Sequence, residues 1–226
     1  MTRRLPFIAT IAAVIVAAAA GTAEAQTPAP TPGATPSRSL QIGGYAMVGR
    51  FTFAASKSFT AILDTNAGPI VGGGATVGLP FGGLFVEVGA WRFRRSGERA
   101  LVLDGVVIPI GVPLEVTVVP IEISAGWKFR MRRLPKLIPY AAVGYTSYGY
   151  RETSSFSGPG EDADERFDGY QLRGGAEFKI ARWLGVAGEV AWATVADAIG
   201  SGGVSAAFHE NDLGGTSVQA RITVGR

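Results

Sequence analysis

The chain has 226 residues, enough for one domain, and its formal net charge of +3 is too small to indicate a nucleic-acid partner. It contains 32 glycines and no cysteine, and only 17% of its residues are charged. These values exclude a disulfide framework and are unusual for a soluble domain.

Residues 1–25 have the organisation of a secretory signal peptide. Arg3 and Arg4 supply a positive start, and an uncharged apolar run of sixteen residues extends from Leu5 to Ala20. Ala23-Glu24-Ala25 then offers small residues for cleavage. Because the run is shorter than the roughly 20 residues that span a bilayer, we predict a cleaved signal peptide and not a membrane anchor.

Residues 26–38 contain four prolines among small and polar residues. Proline at this density does not pair in a sheet and favours an extended coil. We therefore predict a Pro-rich periplasmic tether between the signal peptide and the rest of the chain.

From residue 39 onward, apolar and polar residues alternate with a period of two, most clearly at 117–129, 170–180, 184–192 and 217–224. Successive side chains of a strand point to opposite faces, so each segment has one apolar and one polar face. The positions of the breaks predict eight strands, at 39–54, 70–79, 83–95, 114–130, 137–152, 167–180, 183–195 and 212–225.

The connections between these strands alternate in length. Those near residues 80, 133 and 181 are short, whereas 55–69, 96–113, 153–166 and 196–211 are long. No apolar run after the signal is long enough for a transmembrane helix, and only closed sheets otherwise satisfy the backbone in lipid. The pattern predicts an all-β fold over residues 39–226, an eight-stranded antiparallel up-and-down transmembrane β-barrel with both termini in the periplasm. Asp104-Gly105 predicts a hairpin turn that extends the second long loop as an exposed β-ribbon.

A family resemblance is carried by the segment from Thr117 to Glu152. It contains Val-Val-Pro-Ile-Glu-Ile at 118–123, Gly126-Trp127, Pro139-Tyr140 and Gly144-Tyr145. The segment resembles the small bacterial outer membrane β-barrel family of the OmpA and OmpX type. The resemblance implies a place in the outer membrane of a Gram-negative-type bacterium, contact with outer membrane lipids, and insertion by the barrel-assembly machinery. Such barrels usually end in an aromatic residue, whereas this chain ends in Val-Gly-Arg.

The polar faces of the strands place eight charged residues in the lumen. They are Glu87, Glu122, Lys128, Arg173, Glu177, Lys179, Glu189 and Arg221. The bore of an eight-stranded barrel is just wide enough for side chains to fill, and charges there need partners. We predict an ion-pair network that plugs the bore; the alternative is a selective ion pathway.

Aromatic residues predict a girdle at each membrane interface. The predicted girdle residues are Trp91, Trp127, Tyr140, Tyr148, Tyr150, Tyr170, Trp183 and Trp192.

Residues suited to catalysis are few. His209 is the only histidine, with Ser205, Glu210 and Asp212 nearby. Outer membrane lipid A deacylases use a His-x-Ser arrangement, but Asn211 stands at the serine position here. We predict no catalysis.

No cofactor and no metal are predicted either. An acidic loop contains Glu161, Asp162, Asp164, Glu165 and Asp168, and its composition is more typical of a solvated loop than of a calcium site.

We therefore predict a structural or surface-interaction protein whose extracellular loops meet a partner, with no nucleic acid bound. A narrow porin-like channel for small solutes or ions is the first alternative. A lipid-modifying outer membrane enzyme is the second.

Overall fold

The computed structural model describes residues 40–80, 82–154 and 163–225. They form one closed sheet in which each strand pairs with its sequence neighbours and the last strand pairs with the first, all antiparallel. The strands are β1 (Gln41–Phe53), β2 (Ala67–Gly78), β3 (Leu84–Leu103), β4 (Val106–Lys128), β5 (Leu137–Thr153), β6 (Ala163–Lys179), β7 (Leu184–Thr194) and β8 (Gly215–Gly225). The predicted all-β, eight-stranded barrel is confirmed, and the predicted signal peptide and tether lie outside the described residues.

The two ends of the barrel differ in their connections. At the short-turn end, brief turns join β2 to β3, β4 to β5 and β6 to β7. At the long-loop end, the connections include two helices, α1 (Ser56–Leu63) and α2 (Gly203–Phe208). In the part of the chain that the structure describes, no helix is long and apolar enough to cross a membrane.

The β3–β4 hairpin is much longer than the predicted strands 83–95 and 114–130. Both strands continue to a two-residue turn at Asp104 and Gly105, where φ is 49° and 77°. Positive φ at both positions is what a type I′ turn requires, and it matches the right-handed twist of the flanking strands. The predicted ribbon is therefore confirmed. We call residues 100–110, beyond an irregularity in pairing between Glu98 and Ala100, the ribbon.

Neither helix was predicted, since 55–69 and 196–211 were interpreted as loops. Helix α1 forms because Phe59 and Leu63, one turn apart, both pack into the apolar core. It ends at Asp64, whose φ of 59° is left-handed. Tertiary packing stabilises this short helix, because a segment of eight residues is too short to be helical alone.

The outward-facing side chains of the barrel are aliphatic along most strands. Val71, Val143 and Val218 are each about 60% exposed. The residues next to them in sequence point into the barrel. Inside the barrel, an apolar cluster lies toward the long loops and charged side chains lie toward the short turns.

Candidate functional site: the filled interior and the long-loop end

Five buried charged side chains meet inside the barrel, and we call them the central cluster: Glu87, Glu122, Arg173, Glu189 and Arg221. Arg173 Nη1 donates to Glu87 Oε1 at 2.7 Å, and Arg221 Nη1 donates to the same oxygen at 3.0 Å. Arg221 Nη2 donates to Glu189 Oε1 at 2.7 Å. The five residues come from β3, β4, β6, β7 and β8, so the cluster joins strands around most of the barrel.

Uncharged donors add hydrogen bonds to two of these carboxylates. Trp91 Nε1 donates to Glu122 Oε1 at 2.8 Å. Tyr140 OH donates to Glu189 Oε2 at 2.8 Å, and Gln219 Nε2 donates to Glu189 Oε1 at 2.7 Å. Buried carboxylates are tolerated when their lone pairs are satisfied in this way.

A second charged group lies nearer the short-turn end. Lys179 Nζ is 2.8 Å from Glu177 Oε1, and Lys128 Nζ is 3.4 Å from Glu177 Oε2. Thr223 Oγ1 donates to Glu177 Oε1 at 2.7 Å. The carboxylate is buried, whereas the two lysine side chains are about one-third exposed at this end.

All eight charged residues predicted for the lumen lie in one of these two groups. Three carboxylates and two guanidinium groups leave the central cluster with a formal charge of −1. One carboxylate and two ammonium groups leave the short-turn group with +1. The eight residues are four acids and four bases, so the two groups together are formally neutral although neither group is.

The lumen glycines leave room for tyrosine rings. A Cβ on Gly74 or Gly89 would lie 2.7 or 2.2 Å from the Tyr45 hydroxyl oxygen. A Cβ on Gly175 would lie 2.8 Å from the Tyr140 hydroxyl oxygen. These glycines therefore admit large side chains from neighbouring strands, which fill the space that small residues would otherwise leave empty.

The girdle prediction is wrong for four residues. Trp91, Tyr140 and Tyr148 are buried in the interior, and Tyr150 is half-buried there, with its hydroxyl donating to Glu152. The physical reason is parity: Trp91 is four residues after the inward-facing Glu87, so it must share its face. The other four predicted girdle residues are exposed on the outer surface; they are Trp127, Tyr170, Trp183 and Trp192.

Aromatic rings close the interior above the central cluster. Phe51 lies 4.9 Å from Trp91 between ring centroids, and Trp91 lies 5.8 Å from Tyr148. Phe53 stacks on Phe59 of α1 at 3.8 Å, which places the helix over this layer. This apolar layer was not predicted, because Trp91 and Tyr148 were assigned to the outer girdle.

Glu210 binds the N-terminus of α1. Its carboxylate accepts hydrogen bonds from the backbone amides of Lys57 and Ser58 at 3.0 and 2.8 Å, and from Ser58 Oγ at 2.6 Å. Partial burial disfavours the ionised form, but the bonds from Ser58 and Lys57 outweigh it and hold the pKa of Glu210 below its ordinary value. The carboxylate thus serves as an N-cap supplied by a different loop.

Two of the residues considered for catalysis, Asp212 and Ser205, accept hydrogen bonds from backbone amides of the loops. Asp212 Oδ1 accepts from the amides of Val195 and Gly214, both at 2.7 Å. Ser205 Oγ accepts from the amide of Gly200 at 2.9 Å, and His209 ends α2 with φ 55°. Among the described residues, no hydrogen bond joins the His209 ring to Ser205 or to either nearby carboxylate.

Part of the acidic loop, including Glu161 and Asp162, lies outside the described residues. Asp164 is paired with Arg151 at 2.5 Å. Over residues 40–80, 82–154 and 163–225, no group of acidic, histidine or cysteine side chains is arranged to hold a metal ion.

Two further contacts inside the barrel were not predicted. The Arg221 guanidinium lies 4.2 Å from the centroid of the Tyr45 ring, and Arg173 Nη2 donates to Ser124 Oγ. Strand parity could have found both partners, since Tyr45 shares a face with Met47 and Ser124 shares one with Glu122.

Solved structures of outer membrane barrels are similar to this one. A major outer membrane protein from Thermus thermophilus has a TM-score of 0.54 at 13% identity, covering 83% of this chain and 100% of that one. Neisserial surface protein A has a TM-score of 0.46 at 11% identity, covering 82% and 96%. The N-terminal barrel domain of Pseudomonas aeruginosa OprF has a TM-score of 0.45 at 10% identity, covering 82% and 97%. At such identities the likeness concerns the fold alone.

No protein-family model matches the sequence, and no curated protein matches it significantly.

Proposed function

We propose that the chain is an integral outer membrane barrel with a structural, surface-interaction role and no catalysis. Two observations support it: the aliphatic outer surface of the barrel and the likeness in fold to outer membrane barrels. The predicted signal peptide is consistent with this proposal. The filled interior favours an anchor over the alternative of a narrow porin-like channel.

The observation that carries the surface role is the ribbon. It exposes five aliphatic side chains to about half of their area: Leu101, Leu103, Val106, Ile108 and Ile110. Leu101 pairs with Ile108 and Leu103 with Val106, so these side chains share one face. An exposed aliphatic face of this kind is typical of a binding surface.

The ribbon also has unpaired backbone edges. Pairing of β3 with β2 ends at Phe93, and pairing of β4 with β5 begins at Glu115. Within the described residues, the strands of the ribbon pair only with each other. Such edges accept an added strand, with backbone hydrogen bonds giving affinity and the aliphatic side chains giving selectivity. We infer a protein partner that binds by strand addition.

The test places a photo-reactive diazirine side chain at position 103 of the full chain, in the cells that produce it. Irradiation of intact cells is expected to give an adduct of defined mass with a surface protein. The adduct is expected to disappear when Val106→Thr and Ile108→Thr are added, because threonine keeps the strand and removes the aliphatic face. A diazirine at position 88, whose valine faces outward from the barrel wall, is the matched control and is expected to label lipid.

Each variant is also checked for co-fractionation with outer membranes and for faster migration before boiling, as a closed barrel resists detergent. Recovery of the native chain as a soluble periplasmic protein would contradict the membrane assignment. Correct insertion without any protein adduct at positions 101, 103, 106 or 108 would contradict the surface role and leave the membrane assignment unaffected.

A further inference from the structure

A cavity of about 430 Å³ opens at the long-loop end of the barrel. It lies between α1, the base of the ribbon, the loop that carries α2, and the adjoining ends of β5 and β6. Sites for small molecules are concave, mostly apolar and about 300–1,000 Å³ in volume, so this cavity is large enough for one ligand.

One side of the cavity is apolar and firmly packed. Phe59 and Leu114 are 5% and 3% exposed, Val116 is 1% exposed, and Val204 is 7% exposed. Phe59 is held by its stacking on Phe53, which belongs to the apolar layer of the barrel. Beside this packed wall, Leu101 and Ile110 line the cavity and are about half exposed, so a ligand that covers them buries apolar surface.

Another part of the lining carries two carboxylates. Glu152 and Glu165 both line the cavity, as does Tyr150. Tyr150 is directly opposite Glu165 in the β5–β6 pairing, and its hydroxyl donates to Glu152 Oε2 at 3.0 Å. Arg99 is the single basic side chain among the described lining residues, so the charged groups of the lining carry a net negative charge.

We propose that this cavity binds a small organic cation with an apolar body. The ammonium group lies beside Glu152 and Glu165, whose negative charges favour it. The apolar body lies against Phe59 and Val204. The net charge of the lining disfavours an anion of the same shape. This inference does not depend on the partner proposed for the ribbon, although Leu101 and Ile110 of the ribbon also line the cavity.

The experiment compares three probes that share one apolar body: 4-phenylbutylamine, 4-phenylbutanol and 4-phenylbutyrate. The full chain is reconstituted in nanodiscs of zwitterionic lipid, and binding is measured by calorimetry, with empty nanodiscs subtracted to remove partitioning into lipid. The amine is expected to bind at least about tenfold more tightly than the alcohol, which corresponds to about 1.4 kcal/mol. The carboxylate is expected to bind more weakly than the alcohol.

Two kinds of variant test the site. Glu152→Gln combined with Glu165→Gln is expected to remove the preference for the amine while leaving the affinity for the alcohol unchanged. Glu115→Gln is the matched control, since Glu115 pairs with Arg94 and does not line the cavity. Val204→Trp fills the cavity and is expected to abolish binding of both probes; Ala163→Trp, from β6, provides a second filling variant if the first does not refold.

Three results would overturn the proposal. The first is equal affinity of the native chain for the amine and the alcohol. The second is unchanged binding in a correctly folded tryptophan variant. The third is an amine preference that survives the double glutamine substitution, because binding would then lie elsewhere.

Discussion

Arg173 contacts more carboxylates than any other described residue. Its Nη1 is 2.7 Å from Glu87, 3.7 Å from Glu189 and 4.0 Å from Glu122. Its side chain is almost fully buried, so water cannot replace these contacts. Removing one partner of a buried ionic group costs more than the pair itself contributes, because the remaining charges stay buried without compensation.

We therefore expect Arg173→Ala to lower the free energy of unfolding by about 3–5 kcal/mol. The variant leaves three carboxylates facing Arg221 alone. The measurement is urea unfolding in lipid vesicles, followed by tryptophan fluorescence. Arg151→Ala is the matched control: Arg151 and Asp164 are 61% and 66% exposed, and such surface pairs contribute about 0–1 kcal/mol. Similar small losses in both variants would mean that the central cluster does not stabilise the barrel.

At the scale of elements, the long-loop end is held together by contacts between loops. Glu210, from the β7–β8 connection, binds the first turn of α1, which belongs to the β1–β2 connection. The helix in turn stacks Phe59 on Phe53 and closes the apolar layer. Two connections that are far apart in sequence thus form one cap over the barrel.

We expect Glu210→Ala to lower the free energy of local unfolding of α1 by about 1 kcal/mol. The barrel is expected to stay closed, since the loss of an N-cap has a local effect. The measurement is amide hydrogen exchange, expressed as protection factors, for Phe59 to Leu63 relative to β1. Glu115→Ala is the control, because its carboxylate bonds Arg94 and not α1. A loss of protection throughout β1 would contradict a local role.

The same contact predicts a pH dependence of α1. The pKa of Glu210 in the folded protein lies below its ordinary value. Glu210 therefore stabilises α1 fully at a pH above its pKa in the unfolded chain. This stabilisation is lost as the pH falls through the pKa of Glu210 in the folded protein. In Glu210→Ala the protection of α1 is expected to be independent of pH in this acidic range.

At the scale of the whole molecule, the interior is filled by two kinds of layer. The charged groups occupy the short-turn half, and the aromatic layer with α1 closes the long-loop half. An ion crossing the barrel would have to separate paired charges and then pass a buried aromatic layer. Eight strands leave no further width for it.

The barrel is therefore expected to show no stable conductance steps in planar bilayers, and sugars are expected to remain inside loaded liposomes. Bilayers that receive the same detergent without protein are the control. Reproducible steps whose ion selectivity changes in Glu122→Gln would contradict a filled bore and would favour the channel alternative.

Alternation and the positions of the breaks determined the class of fold and the number of strands, and the predicted membrane location placed the polar face inside. Side chains two residues apart share a face whatever surrounds them, so Glu87, Glu122 and Arg173 could be placed inside from local sequence. The turn at Asp104 and Gly105 was also readable, because few residues accept positive φ at two successive positions.

Only the tertiary structure decided which charges meet, which aromatics lie inside, and where helices form. Glu87 and Arg221 are far apart in sequence, and their contact depends on the closure of β8 onto β1 and on the register of every pair between them. Helix α1 forms because Glu210 binds its N-terminus and Phe59 packs on the aromatic layer. A segment of eight residues has too little helical preference to form a helix alone. Local pattern fixes the face of a side chain, whereas the partner across a closed sheet is fixed by register and shear, which no single segment encodes.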